Sequence, residues 1–298
     1  MKPNPMKNLF FALLVLSLLF AGCSSVNPRY ISAPSVTNAT FFREKGDMKF
    51  SMSVAANPGF IEKYDYSENG NDYSQTRRAV RGMDGQAAFA ITNNFMIAVD
   101  GFYRTEEDRF RKDDLNNAND KSTIDYDRRM LNGALGFYAP LGTSQKAYFN
   151  FLGGIGVGKV RSDYKGYLNS TVKTTRFHNA DLFKINLSPS FNFFFTEYFR
   201  MAVAPRFSFL KFNNIQTNYT SEELKTTQFE ALDGHYLPLF EPSISLQAGF
   251  PGADWLKFDI GFHFSSNPDI GAYNLRSRNF LGSLGLSIYP FDYRHTRR

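Results

Sequence analysis

Cysteine is almost absent: Cys23 is the only one in 298 residues. No internal disulfide can form, and zinc sites built on cysteine pairs are excluded. Histidine is scarce as well, with 4 residues. No fixed-period repeat is present, so a solenoid has no support. Mean hydropathy is -0.35, too low for a helical membrane protein. Basic residues outnumber acidic ones by 34 to 28. They are not clustered with aromatics on one face, so nucleic-acid binding has no support either.

What the chain does have is alternation. About ten stretches set apolar residues against polar ones with a period of two. They are 48–54, 83–91, 95–103, 130–139, 147–157, 183–193, 199–209, 240–250, 256–265 and 280–288. The first sets Met48, Phe50, Met52 and Val54 against Lys49, Ser51 and Ser53. Several reach the roughly 9–11 residues that a tilted strand needs to cross a bilayer.

The dyad alone leaves open which face points inward. A lipocalin-like soluble barrel would bury the same Phe and Ile residues. The apolar face is heavy in Phe, and the chain holds 32 Phe and 16 Tyr. The polar face mixes Gly, Ala and Ser with charges of both signs. Both features favour a lipid-facing band around a narrow polar lumen.

The connections alternate in length. Short ones fall at 92–94, 140–145, 196–197 and 251–254, and long ones at 57–80, 105–128, 162–180, 213–235 and 266–278. That rhythm predicts an antiparallel up-and-down transmembrane β-barrel of about ten strands, with eight or twelve as alternatives. Short turns belong to the periplasmic rim of such barrels. Both termini then lie on that side.

Residues 1–22 have the charge and apolar run of an export signal, with Lys2 and Lys7 ahead of a stretch too short to span a bilayer. Leu19-Phe20-Ala21-Gly22-Cys23 resembles the lipobox of bacterial lipoproteins. The resemblance implies cleavage before Cys23 and acylation of its thiol. Residues 23–47 then form a lipidated periplasmic linker, with the option of folding into the barrel mouth. Residues 48–298 form the barrel and a short basic tail.

Candidate chemistry is sparse. Gly154-Ile155-Gly156-Val157-Gly158 sits inside a strand with no helix after it, so it is not a dinucleotide fingerprint. The glycines are read as room for crowded lumen packing. The Asp- and Asn-rich stretch in 105–128 lacks the glycine and closing glutamate of a calcium loop, and no metal or cofactor is expected. Asp125-Tyr126-Asp127 and Asp233-Gly234-His235 resemble the paired motifs of omptins, ten-stranded outer-membrane endopeptidases. That resemblance implies that His235 and Asp233 activate a water facing Asp125 and Asp127.

The remaining candidates are charges on the polar face: Lys49, Asp84, Asp100, Lys184, Arg200, Arg206, Glu241, Lys257, Asp259 and His263. Opposite signs there predict internal pairing and a plugged or very narrow lumen. The functional expectation is a non-enzymatic outer-membrane lipoprotein, structural or a narrow conduit for small solutes. Its partners are membrane lipids. An adhesin acting through the outer loops and the omptin-like peptidase are the alternatives.

Overall fold

The computed structural model of the chain describes residues 30–32, 39–57, 65–68, 71–112, 121–168, 171–227, 229–267, 276–277 and 280–291. The alternating stretches pair with their sequence neighbours into a closed ring of ten antiparallel strands. We label these β1 (Met48–Ala56), β2 (Asn71–Ala90), β3 (Phe95–Lys112), β4 (Lys121–Pro140), β5 (Ala147–Leu168), β6 (Thr171–Phe194), β7 (Phe199–Thr217), β8 (Tyr236–Phe250), β9 (Ala253–Phe264) and β10 (Phe280–Ile288). The ring closes where β10 meets β1, with Ile288 opposite Phe50 and Gly282 opposite Ala56. A closed ring satisfies every strand's backbone without a bare edge, which is what hydrocarbon demands.

The Phe-rich face points outward. On β1, Phe50, Met52 and Val54 are 46%, 65% and 58% exposed, while Lys49 is 3% exposed. The same parity holds on β4 and β5, where Leu131, Leu135, Ile155 and Val157 are bare. On β6 the outward series runs from Phe183 to Phe193. Ten residue steps on a strand tilted by about 40° give a belt about 25 Å tall, the height of a bilayer's apolar band. The fold is therefore the transmembrane barrel, and the lipocalin-like arrangement is excluded.

Short turns match their expected places. Thr92 Oγ1 accepts from the amides of Asn94 and Phe95, at 3.2 and 3.0 Å. Thr196 Oγ1 accepts from Tyr198 and Phe199 in the same way, at 3.2 and 2.9 Å. Threonine caps both turns by side-chain mimicry of a backbone acceptor. At the turn into β9, Gly252 adopts φ 83, a left-handed conformation that suits glycine.

Three of the expected long connections are mostly strand. Within 57–80, residues 65–68 form a short strand and residues 71–80 begin β2. Residues 105–112 and 121–128 continue β3 and β4, and residues 162–168 and 171–180 continue β5 and β6. Beyond the belt the outer face meets water, so it turns polar and the apolar signal vanishes. The backbone ladder persists because the inward face is still packed. Strands β2 to β7 are 18 to 24 residues long. Strands β8, β9, β10 and β1 have 15, 12, 9 and 9. The barrel is thus lopsided, with a tall wall on one side rising about 25 Å above the belt.

Candidate functional site

The site to be judged is the lumen, and it is filled in layers. At the short-turn end, residues 39–47 fold inside the ring. Ala39, Phe41 and Phe42 pack with Met96, Tyr138, Tyr148, Phe194 and Tyr289. Phe41 meets Phe194 edge-on at 5.8 Å, and Phe42 meets Tyr138 at 6.1 Å. Backbone bonds tie this segment to the wall: Gly46 N donates to Ala90 O and Ala90 N to Asp47 O, both at 2.9 Å. Asn150 Nδ2 donates to Thr40 Oγ1 at 2.8 Å.

At the other end, the β7–β8 connection folds inward. A helix, α1 (Ser221–Thr227), begins with reciprocal capping. Thr220 N donates to Glu223 Oε2 at 2.7 Å, and Glu223 N donates to Thr220 Oγ1 at 3.2 Å. Arg176 Nη2 donates to Glu223 Oε1 at 2.8 Å. These hydrogen bonds from Arg176 hold the Glu223 carboxyl down at about 2. Behind the helix, Tyr219, Phe229 and Leu232 pack on Val160, Leu210, Phe212 and Leu237 of the wall. The His178 ring lies 4.6 Å from that of Phe229.

Between these apolar layers sit the charges. Lys184 Nζ donates to Glu241 Oε2 at 2.6 Å, with side-chain exposures of 3% and 1%. Ser208 Oγ donates to the same oxygen at 2.5 Å, and Arg206 stands directly opposite Glu241 in the β7–β8 ladder. Asp100 accepts from Asn132 Nδ2 at 2.9 Å. Asp84 pairs with Arg104. Asp259 accepts from Ser287 Oγ, which in turn accepts from Gln247 Nε2 at 3.3 Å.

The two lysines nearest the short-turn end serve backbone. Lys49 Nζ donates to Ala39 O at 2.8 Å and to Gln86 Oε1 at 3.1 Å. Lys257 Nζ reaches Glu197 O at 3.4 Å. Arg200 lies 5.2 Å from the Phe194 ring and 5.3 Å from the Tyr289 ring. His263 shares a 2.9 Å contact with Ser283 Oγ.

Sequence reasoning missed several members of this layer. Arg104 is fully buried, and Arg128 pairs with Glu106 at 3.1 Å inside the tall wall. The Arg128–Glu106 pair was hidden by reading 105–128 as a loop, whereas Arg104 stands at the polar-face position just past the 95–103 stretch and was left out of the lumen set. Parity was the available signal: Arg104, Glu106 and Asp108 continue the inward positions of β3, and all three are buried.

The omptin-like arrangement is not formed. Register places Tyr126 and Arg128 inward, so Asp125 and Asp127 point out of the barrel. Asp125 sits 3.7 Å from Lys165, and Asp127 accepts from the Tyr103 hydroxyl at 3.1 Å. His235 is exposed, and its Nδ1 lies 2.7 Å from the Asp233 backbone oxygen instead of its carboxylate. His263 has a serine neighbour, but its Nδ1 has no partner, so no carboxylate orients the ring.

Gly154, Gly156 and Gly158 serve packing. A Cβ on Gly156 would overlap the side-chain oxygen of Asn132, and one on Gly158 the backbone oxygen of Arg129. Among the described residues no cluster of His, Asp or Glu could hold a metal. One open cleft, of about 440 Å³, lies on the tall wall around Arg129, Lys159, Arg161 and Asp181. Cys23 and the calcium-like stretch 113–120 lie outside the described residues.

No protein-family model and no curated protein matches the chain. Solved structures of similar shape include the translocator domain of autotransporter NalP from Neisseria meningitidis. Its TM-score is 0.46 at 8% identity, covering 84% of this chain and 90% of that one. An outer membrane channel from Pseudomonas putida F1 gives 0.35 at 9% identity, covering 86% and 100%. The toluene transporter TodX of Pseudomonas putida gives 0.23 at 10%, covering 89% and 95%. These are likenesses of form and carry no argument about activity.

Proposed function

We propose that the chain is a non-enzymatic outer-membrane β-barrel lipoprotein with a structural role, its lumen closed in the resting state. Transmembrane barrels belong to outer membranes, with short turns toward the periplasm. One observation carries the reading: apolar layers stopper both ends of a lumen whose middle is packed with paired charges. A conduit needs a continuous water path, and stoppered ends with packed side chains between them interrupt one.

Planar bilayers test this. The purified barrel should show no defined conductance step. Reproducible steps from the unaltered chain would replace the structural reading with the narrow conduit. Lipidation is tested by labelling cells with a tagged fatty acid; the label should be lost in Cys23→Ala.

A second reading has its own support. The tall wall formed by β2 to β7 offers a rigid outer surface that a purely structural barrel does not need. A binding role predicts that shortening the β3–β4 and β5–β6 hairpins to the belt abolishes cell adherence. Unchanged adherence rejects it.

A further inference from the structure

Two pieces of the N-terminal chain lie at opposite ends of the barrel. Thr40, Phe41 and Phe42 are buried in the lumen at the short-turn end, held by Asn150 and Tyr138. Tyr30–Ser32 instead runs parallel to Arg276–Ser277, with Ser32 opposite Ser277. Arg276–Ser277 belongs to the connection from β9 to β10, which lies at the long-connection end.

Chain length decides how the two pieces are joined. From Ser32 to Ala39 there are seven peptide steps, which span at most about 25 Å. β10 alone, from Phe280 to Ile288, covers about 20 Å of barrel height. A path beneath the short-turn rim and up the outer wall must add the thickness of that wall in both directions. It exceeds the reach. The route through the lumen fits it.

The sequence suits such a passage. Residues 32–40 read SAPSVTNAT, with no charge and no aromatic ring. Larger groups flank it on both sides, Tyr30 before and Phe41 after. A narrow lumen lined by paired charges accepts small uncharged side chains, because they add neither volume nor an unpaired charge.

We infer that the N-terminal segment threads the barrel, so that the chain upstream of Tyr30, acylated Cys23 included, starts on the outer side of the membrane. The naming of sides and the acyl group rest on the reading of an outer-membrane lipoprotein above. The consequence reverses the expectation of a periplasmic linker. The acyl chains then enter the outer leaflet, beside the long connections. Acyl chains cannot be drawn through a filled polar lumen, so β10 must close on β1 around a segment already in place.

Surface labelling of intact cells tests the passage. One epitope is inserted between Ser25 and Val26, with Cys23 kept. A second chain carries the epitope within 113–120. Antibody should reach both tags before permeabilisation. If the 113–120 tag is reached and the N-terminal tag is not, the passage is overturned while the barrel's placement stands. If neither is reached, the outer-membrane placement fails and the inference with it. Val36→Trp should obstruct the passage and remove N-terminal labelling while 113–120 stays labelled. Should that variant fail to assemble, Ser32→Cys with Ser277→Cys in the otherwise unaltered chain gives the second measurement. Oxidation should link them; no link overturns the inference.

Discussion

Glu241 is the most exposed point of the lumen's energetics. Glu241→Gln removes the partner of Lys184, whose ammonium is 3% exposed, and leaves Arg206 opposite the changed site. Breaking a buried pair from one side costs about 3–5 kcal/mol, because the remaining charge keeps its desolvation penalty. Loss of the charged acceptor for Ser208 Oγ adds about 1 kcal/mol. The expected loss is therefore about 4–6 kcal/mol. Replacing both partners, as Lys184→Met with Glu241→Leu, should recover most of it, since no charge is then stranded. The assay is urea unfolding of the barrel in lipid vesicles, followed by fluorescence of the single tryptophan, Trp255. That ring is 46% exposed at the short-turn rim of the belt and changes surroundings when the barrel leaves the membrane. A loss below about 1 kcal/mol for Glu241→Gln, with no recovery in the double variant, would refute a dry, paired lumen.

Three further outcomes follow from particular contacts. Phe41→Ala with Phe42→Ala removes two buried rings worth about 3–5 kcal/mol each and should lower stability markedly in the same urea assay, without conductance while the Tyr219, Phe229 and Leu232 cap stays closed. Gly158→Ala drives a Cβ into the Arg129 backbone oxygen and should lower the refolded yield sharply. Gly153→Ala, whose Cβ meets the tip of Leu187 at 3.7 Å, should refold normally. Acid should loosen the outer cap. The Glu223 carboxyl is depressed to about 2 from 4.5, so its stabilising share is present above 4.5 and is lost as pH falls through about 2. Amide exchange in α1 should rise across that window, and Glu223→Gln should remove the pH dependence.

The strands were legible because lipid and lumen impose opposite chemistry on alternate residues. Ten such stretches sit where the alternation places them, and Phe50, Leu135 and Val157 show the outward parity directly. Legibility ended where the belt ended. Above it Arg129, Lys159 and Asp181 occupy outward positions, and the outer face no longer differs in polarity from Arg104 or Glu106 within. The strands therefore read as loops. Parity counted outward from Leu131 would have placed Asp125 and Asp127 on the outer face. The plugs were harder to read: entry of the 23–47 segment into the barrel mouth stood only as an option, and the inward fold of the β7–β8 connection was missed. Residues 39–47 and the β7–β8 connection bury side chains through tertiary contact, with no period for a sequence pattern to show.

The apolar stoppers and the charge layer are energetically one object. Charges attract more strongly, and cost more when orphaned, where water is excluded. Phe41 and Phe42 close one end of the space that holds Lys184 and Glu241, and the Tyr219, Phe229 and Leu232 group closes the other. Opening one end should readmit water to the middle. The cost of Glu241→Gln should then be smaller in a chain already carrying Phe41→Ala and Phe42→Ala, because a hydrated Lys184 no longer needs its carboxylate. A double-mutant cycle on the same unfolding assay measures this coupling, with an expected interaction of about 1–3 kcal/mol. Strictly additive losses would mean that the layers are independent, and that the charges owe their dryness to the strand wall alone.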